Sequence, residues 1–582
     1  MIRITNWPVR FGLLWLLGCG AASMASAAEP ARIDSLTFRS GFVEFRAEGV
    51  EFEGLNLSPD ALEILLHGKD NSAQAKALAT LDATTIRIAR LRETQTVGGQ
   101  SSTTIFSNVG LTDIKAGIVR KLHADQINFA TLGALDDTST GLAGPLTVED
   151  VDLALLLGLG SQVGDGKPHD FKLAYHLAQI ETLAIQSTKG PTVAIDRIEI
   201  RDERLRETND GFAAITERFV KHQSDPNPPG DAELGAMARD VLDLFSAVST
   251  GSIEITGLAL RETAQPTNFA AIKRFAYHGG LEGPSSYQIE GIEVAIDDFR
   301  MKIGSLAQSD IKLGTVLDGL KKALAKPNVK PADIDPALFV PMIGRIELNT
   351  MAMDADLDGM KHSGVRSFLF AVETGADASP TSVELSFDGL TGPLPATSTE
   401  PAIQSLMGLG YRYINASGTI KLAIDAKAQD LTLNSTLSAE NMAALNLSGT
   451  IGNVSASALA AHPDTAPLML LSASLKSLSF AVENHGIAER LIDQQAIRTK
   501  RSPAEIRASY ASAAAASLQI YLGMSPTAKN LTQSIVNFIG KPDHLQIAAQ
   551  AKNPAGVTIS DTATGSGPAS ILDLFELQID QK

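Results

Sequence analysis

Ile420-Lys421-Leu422-Ala423-Ile424, followed by Leu431-Thr432-Leu433, sets large aliphatic side chains at every second position. A period of two puts one face of a strand against an apolar interior and the other in water. The pattern spreads both ways. Downstream come Leu445-Asn446-Leu447 with Ile451, then Leu475, Leu478 and Phe480. Upstream stand Val383-Glu384-Leu385-Ser386-Phe387, Phe368-Leu369-Phe370 and Ile346-Glu347-Leu348. Further back, Ile289, Ile292, Val294 and Ile296 alternate with polar or small residues, as do Ile195, Ile198 and Ile200. Turn clusters such as Gly375 to Pro380 punctuate the run. The expected class is α+β and β-dominated: elongated, repeated strand-rich units of curved antiparallel sheet, with helical connections and a helical C-terminal segment.

An internal repeat lies within this pattern. Ile198-Glu199-Ile200 precedes Leu205-Arg206-Glu207-Thr208, and 55 residues on Ile253-Glu254-Ile255 precedes Leu260-Arg261-Glu262-Thr263. A shorter echo is Ile86-Arg87-Ile88 with Leu91-Arg92-Glu93-Thr94. Phe212 to Phe219 and Phe269 to Phe275 follow the two long copies as similar amphipathic segments, so a strand-then-helix unit is expected. Thr112-Asp113-Ile114-Lys115 and Ser309-Asp310-Ile311-Lys312 each read as the opening of a helix, with Thr112 and Ser309 as caps. Five stretches therefore divide the chain: a signal peptide over 1–28, a β-rich region over 29–190, strand-helix repeats over 191–335, a strand meander over 336–482, and a helical segment over 483–582.

Helical spacing predicts helices over Asp231 to Val248 and Leu313 to Ala325. Near the C-terminus three more are predicted, over Ile487 to Ile497, Pro503 to Leu522 and Thr527 to Phe538. Ser502 before Pro503, with Glu505 beyond, is a start signal. His544 to Ala551 reads as a strand, and Ile571 to Phe575 as an apolar end that docks back.

The chain opens with Arg3 and Arg10, an apolar run from Phe11 to Ala22, and Ala25-Ser26-Ala27. That order is a secretory signal, with cleavage expected after Ala27 or Ala28. The apolar run is shorter than the ~20 residues a spanning helix needs. Leu16-Leu17-Gly18-Cys19 offers the alternative of a lipoprotein anchored through Cys19, the one cysteine of the chain. The net charge of -17 would become -19 on loss of Arg3 and Arg10. It argues against nucleic acid as a partner. A periplasmic protein with no membrane span in its mature form is expected.

Catalytic motifs are sparse. Ten histidines are scattered without metal-ligand spacing, His169 and His176 being the nearest pair, and no thiolate site remains once Cys19 is removed. No G-x-S-x-G elbow or phosphate-binding loop appears. Ser309 and Lys312 fit S-x-x-K without its partner motifs. The basic residues Arg498, Lys500, Arg501 and Arg507 cluster, a pattern usually belonging to a solvated linker. The one metal candidate is Asp354-Ala355-Asp356-Leu357-Asp358-Gly359, whose alternate carboxylates before a glycine resemble a calcium loop. Val365 stands where such a loop carries its bidentate Glu. No cofactor is expected.

Three stretches carry a resemblance: Gly408-Leu409-Gly410-Tyr411, Leu445 to Gly452, and the C-terminal LKSLSFAVENHGIAERLIDQQA with its final SILDLFEL. They resemble uncharacterised proteobacterial envelope proteins and, distantly, the YdgA-like domain-of-unknown-function family. A weaker similarity is to AsmA-like proteins, whose curved sheets form lipid-bearing grooves. The resemblance implies a periplasmic, repeat-containing β-rich protein and no catalytic residue. Together these readings point to a non-catalytic envelope protein for binding or scaffolding, with lipid or another apolar ligand as the candidate occupant of a β-lined groove. The alternatives are an assembly factor for envelope proteins and a hydrolase. Intact-mass measurement of the exported protein should place its N-terminus at Ala28 or Glu29; an acylated Cys19 would show instead as a longer, lipid-bearing chain.

Overall fold

The computed structural model describes residues 31–581 except 41–42, 68–70, 98–99, 133–137, 162–169, 189, 212–213, 216–217, 219–229, 326–333, 335, 356–361, 376–379, 456–471, 559–560 and 562–567. The signal segment with Cys19, most of Phe212 to Phe219, and the turn at 376–379 lie outside the described residues. The chain is strand-dominated, an α+β protein of antiparallel sheet. It divides into two compact units: the described residues through Asp297 with Asp310–Leu338, and Asp298–Ser309 with Phe339 onward.

The first unit is an up-and-down meander of β1 (Ala31–Ser40), β2 (Val43–Glu53), β3 (Ala83–Val97), β4 (Gln100–Lys115), β5 (Ile118–Ala124), β6 (Gln126–Leu132), β7 (Thr138–Asp152), β8 (Lys172–Ser187), β9 (Thr192–Leu205), β10 (Val248–Arg261), β11 (Phe269–His278) and β12 (Ser285–Ile296). Each strand pairs antiparallel with its predecessor, except that β5 and β6 lie end to end between β4 and β7. The described residues of the unit also form the helices α1 (Pro59–His67), α2 (Asn71–Leu78), α3 (Leu153–Ser161), α4 (Asp231–Ser246) and α5 (Leu313–Leu324). Helices α1 to α3 close one end of the sheet, where Leu65, Leu78, Leu153 and Leu157 join Phe45, Ile88, Phe106 and Leu122 in one buried cluster.

The second unit continues the same theme. Its strands are β13 (Phe299–Ile311), β14 (Arg345–Asp354), β15 (Ser363–Thr374), β16 (Pro380–Pro393), β17 (Tyr413–Asp425), β18 (Asp430–Ala439), β19 (Ala443–Gly452), β20 (Ser474–Asn484), β21 (His544–Ala551), β22 (Val557–Thr558) and β23 (Phe575–Gln581). Each of β13 to β20 pairs with the next, β22 adds to β20, and β23 closes on β21. The helices are α6 (Pro401–Gly408), α7 (Ile487–Thr499), α8 (Pro503–Leu522), α9 (Pro526–Gly540) and α10 (Pro568–Leu572). Helix α8 begins as its sequence dictates: the Ser502 hydroxyl accepts from the Glu505 amide while the Glu505 carboxylate accepts from Ser502 N. Ser525 caps α9 in the same way, accepting from Ala528 N. Phe575 docks as expected, buried with Ala551 and Val557.

One backbone feature recurs through the meander. Left-handed residues stand inside the strands, on every second strand, aligned across the sheet. In the first unit one row holds Gly49 (φ 63) on β2, Asn108 (φ 52) on β4, Thr182 (φ 52) on β8, Gly257 (φ 66) on β10 and Gly291 (φ 63) on β12. A parallel row holds Asp113 (φ 52), Asp150 (φ 55) and Asp202 (φ 53). In the second unit Thr350 (φ 56) and Gly389 (φ 60) flank Arg366 in the same manner. Polar side chains bridge the rows: Asn108 Nδ2 donates to Asp125 at 2.8 Å, Arg120 meets Asp150 at 2.7 Å, and His176 Nδ1 lies 2.7 Å from Asp202.

The left-handed residue resets the alternation. Along β3, Ile86, Ile88, Leu91 and Glu93 are buried, with two successive exposed residues, Ala89 and Arg90, between Ile88 and Leu91. Along β2, Phe45 and Ala47 are buried on one side of Gly49, and Val50 and Phe52 on the other. A strictly pleated strand would send the second pair to the opposite face. Here both pairs enter the same core cluster. Across Gly49 the pairing register of β2 with β1 and β3 is kept on both sides.

Two expectations are corrected. Phe269 to Phe275 is strand β11, not a helix: Ile272 and Phe275 straddle Lys273, which sits opposite Gly257 and Gly291 in the row, so their spacing of three comes from the reset rather than from a helical turn. Thr112 caps no helix; it lies in β4, its hydroxyl donating to the Lys121 carbonyl, and Ala116-Gly117 turn directly into β5. Ser309 likewise ends β13, and the position before α5 is Lys312. The two copies of the repeat lie side by side, with Ile200 opposite Ile253 and Ile198 opposite Ile255.

At Gly257 a Cβ would come 2.0 Å from the Asp196 carboxylate, and the backbone is left-handed as well. Gly257→Val should therefore lower stability by about 1–3 kcal/mol. Thr256→Val, one residue away, should stay within about 0.5 kcal/mol. Chemical denaturation followed by circular dichroism reads both.

Candidate apolar groove

Beyond the closed end of the first unit, the same face of the sheet continues: Ala178, Ile180 and Ile200 still pack against the closed-end cluster, and across β10 to β12 it carries no buried cluster among the described residues. Ile180, Ile198, Ile255, Phe275 and Ile289 form one row across β8 to β12. Ala178, Ile200, Ile253, Tyr277 and Tyr287 form the next. On the other side of the left-handed row, Leu258 lies opposite Ile272, and Ile272 opposite Ile292. All of these side chains are half-buried. The opposite face is ionic: Arg274 joins Glu254 at 3.1 Å and Glu290 at 3.4 Å, and Arg197 and Arg201 both engage Glu199. The hydrogen bond from Arg274 holds the Glu254 carboxyl below its usual range.

The second unit has the same two-faced sheet. Ile346, Phe370, Leu385 and Ile420 make one apolar row, and Leu447, Phe480, Ile547 and Ile579 continue it beyond Ser435. Val372, Val383, Leu422 and Leu433 make another. Ile420 and Leu437 are each 45% exposed and Leu478 is 40% exposed, so this face is open to solvent. Helix α9 covers only its end, packing on β21 and β23, and the described helices touch β14 to β19 no more than marginally. At ~4.8 Å per strand, β14 to β21 offer about 30 Å of apolar surface, roughly twice the ~15 Å half-thickness of a bilayer's hydrocarbon core.

A hollow of about 250 Å³ touches Ser367, Asp388, Ser417, Thr419, Thr436 and Ser438. Its carboxylate is already held, accepting from Arg366 at 2.7 Å and from the Ser417 hydroxyl at 2.8 Å, and no histidine lines it. Of the calcium candidates, Asp354 ends β14, exposed, 3.7 Å from the His362 ring; Asp356 and Asp358 lie outside the described residues. Among the described residues no group of three His, Asp or Glu gathers as a metal site needs. His176 is described and pairs with Asp202; His169 is not described. The sequence reading found the apolar strand faces but missed the left-handed rows that set both halves of a strand on one face. The signal was present as doublets of non-apolar residues, such as Asp196-Arg197 and Thr256-Gly257, between alternating apolar pairs.

A family model described as "Uncharacterized protein" matches residues 436–582, from within β18 to the C-terminus. No curated protein and no solved structure matches the chain. Among the described residues no helix is long and apolar enough to cross a membrane.

Glu93 is the buried carboxyl of the closed end, 4% exposed, and burial pushes its pKa up to about 7. Its Oε2 has no hydrogen-bond partner, and in register it stands between Phe45 and Thr104. Because the folded value lies above the unfolded one, the neutral carboxyl supports the fold below pH ~4.5, and that contribution is lost as pH rises through 7. The change amounts to about 3 kcal/mol. Glu93→Gln should flatten the decline in stability between pH 5 and pH 8, a range to be followed by thermal melts.

Proposed function

We propose that this protein is a non-catalytic binding protein of the cell envelope that holds the acyl chains of lipid along its apolar sheet face. The observation that carries this reading is an apolar sheet face in each unit, half-buried from β8 to β12 in the first and partly exposed from β14 to β20 in the second, each backed by a polar face laced with ion pairs. An apolar sheet face this large must be covered by helix, second sheet or ligand. At the closed end helices α1 to α3 supply the cover. Over the remaining strands a ligand of continuous hydrocarbon supplies it. The lining is aliphatic with a few aromatic rings and presents almost no hydrogen-bond donors, which suits methylene chains and gives polar substrates nothing to hold. The export signal, the AsmA-like resemblance and the absence of recognised catalytic motifs point the same way.

The reading is tested by mass spectrometry of organic extracts from protein purified without detergent. Phospholipid or free fatty acid should co-purify in stoichiometric amount. The double variant Ile420→Asp, Leu437→Asp alters two exposed groove side chains and should retain several-fold less lipid while melting normally. A lipid-free extract, together with no uptake of a fluorescent fatty acid, would overturn the reading.

A further inference from the structure

Helices α7 to α9 carry a surface that the groove does not use. Among the described residues, four of the five most exposed large apolar side chains lie here: Ile497 at 81%, Ile520 at 80%, Tyr521 at 68% and Met524 at 64%. Ile497 stands beside the α7–α8 turn, and the other three crown the turn between α8 and α9. Between these ends α8 is exposed along most of its length, with only Ile506 buried, and it bears no charge from Ala508 to its end. Tyr510 and Tyr521, eleven residues apart, share one face of the helix. A surface helix normally shows a charged outer face, so an uncharged exposed face with aromatic and aliphatic ends is an unmet apolar surface.

The charge around it is opposite to that of the rest of the protein. Residues 494–542 contain Arg498, Lys500, Arg501, Arg507, Lys529 and Lys541 against the single acid Glu505, a local net of +5 in a chain of -17. Arg498, Lys500 and Arg501 are exposed and make no ion pair with another described residue. Charge of this sign beside exposed apolar tips fits an anionic phospholipid surface. The basic side chains meet headgroups, and the tips enter the headgroup–acyl boundary. Aromatic residues such as Tyr510 and Tyr521 favour that boundary.

We propose that the α7–α9 hairpin is a docking surface for an anionic phospholipid bilayer. Helix α9, packed on β21 and β23, makes this hairpin one body with the end of the second unit's apolar sheet. The inference stands on the hairpin's own exposure and charge and does not require the groove to hold lipid.

The test is co-flotation of the purified protein with vesicles of phosphatidylcholine, with and without about one third phosphatidylglycerol. Wild type should float with the anionic vesicles, weakly or not at all with the neutral ones, and binding should fall as salt rises. Ile520→Ser with Tyr521→Ser and Met524→Ser should weaken flotation roughly tenfold or more, and Arg498→Ser with Lys500→Ser and Arg501→Ser should remove most of its salt dependence. All six positions are exposed, so unchanged melting temperatures should accompany both losses. Wild type that fails to float with anionic vesicles, or variants that float as wild type does, would overturn the proposal. Lipid content of the purified variants, by mass spectrometry, separates this result from the groove: hairpin changes should leave it unaltered, whereas Ile420→Asp with Leu437→Asp should lower it and leave flotation intact.

Discussion

A pleated strand can offer an interior only every second side chain, and a strand that bends must either break its pairing or change its phase. The left-handed residues resolve this constraint. At each of them the chain skips one beat of the alternation, so that Ile253 and Ile255 before Gly257, and Leu258 and Leu260 after it, keep to a single apolar face. At Gly257 the ladder keeps its register on either side, whereas beside Thr182 and Gly389 it shifts. Upstream of Tyr413, where these residues stand decides that both halves of a strand share one apolar face. Asparagine and aspartate supply several of them because their short polar side chains tolerate the conformation. Thr182 and Thr350 are β-branched and bear a real conformational cost.

The same constraint explains what the sequence disclosed and what it hid. Regular alternation from Tyr413 onward, where no strand of the meander carries a left-handed interior residue among those described, was legible strand by strand. His544–Ala551 and Pro503–Leu522 stand as read, the latter because Ser502, Pro503 and Glu505 announce its start. Upstream, the skipped beat places apolar residues three apart, as at Ile272 and Phe275, and a spacing of three mimics a helical turn. Helices α1, α2, α3 and α6 were hidden for other reasons. They are short, and α3 (LALLLGLGS) is apolar all round, so it has no periodicity to detect. The apolar faces were visible as strand patterns, but which of them lack a cover depends on where the helices pack, and that is a tertiary fact.

The apolar face of the first unit is satisfied differently along its length. At the closed end, α1 to α3 complete a packed cluster around Phe45 and Phe106, tight enough that burial pushes the Glu93 carboxyl up to about 7. Beyond it, the apolar rows of β10 to β12 are half-buried, with no buried cluster on them among the described residues. Such a surface has little to gain from rigid packing and much from a deformable occupant, since half-exposed aliphatic groups impose no fixed shape. The outer face, with Arg274 between Glu254 and Glu290 and Lys421 against Glu384, keeps the single layer soluble on its other side.

Because a left-handed residue recurs on every second strand, the hairpin is the smallest piece of this sheet that carries its own phase. A duplication that copies two strands delivers the left-handed position and its opposing partner together, and it joins the existing rows without disturbing them. A copied single strand would set two strands of the same kind side by side and break the line. The length of the apolar surface is thus a quantity that evolution can adjust in steps of two strands, about 10 Å at a time, with no redesign of the cross-section.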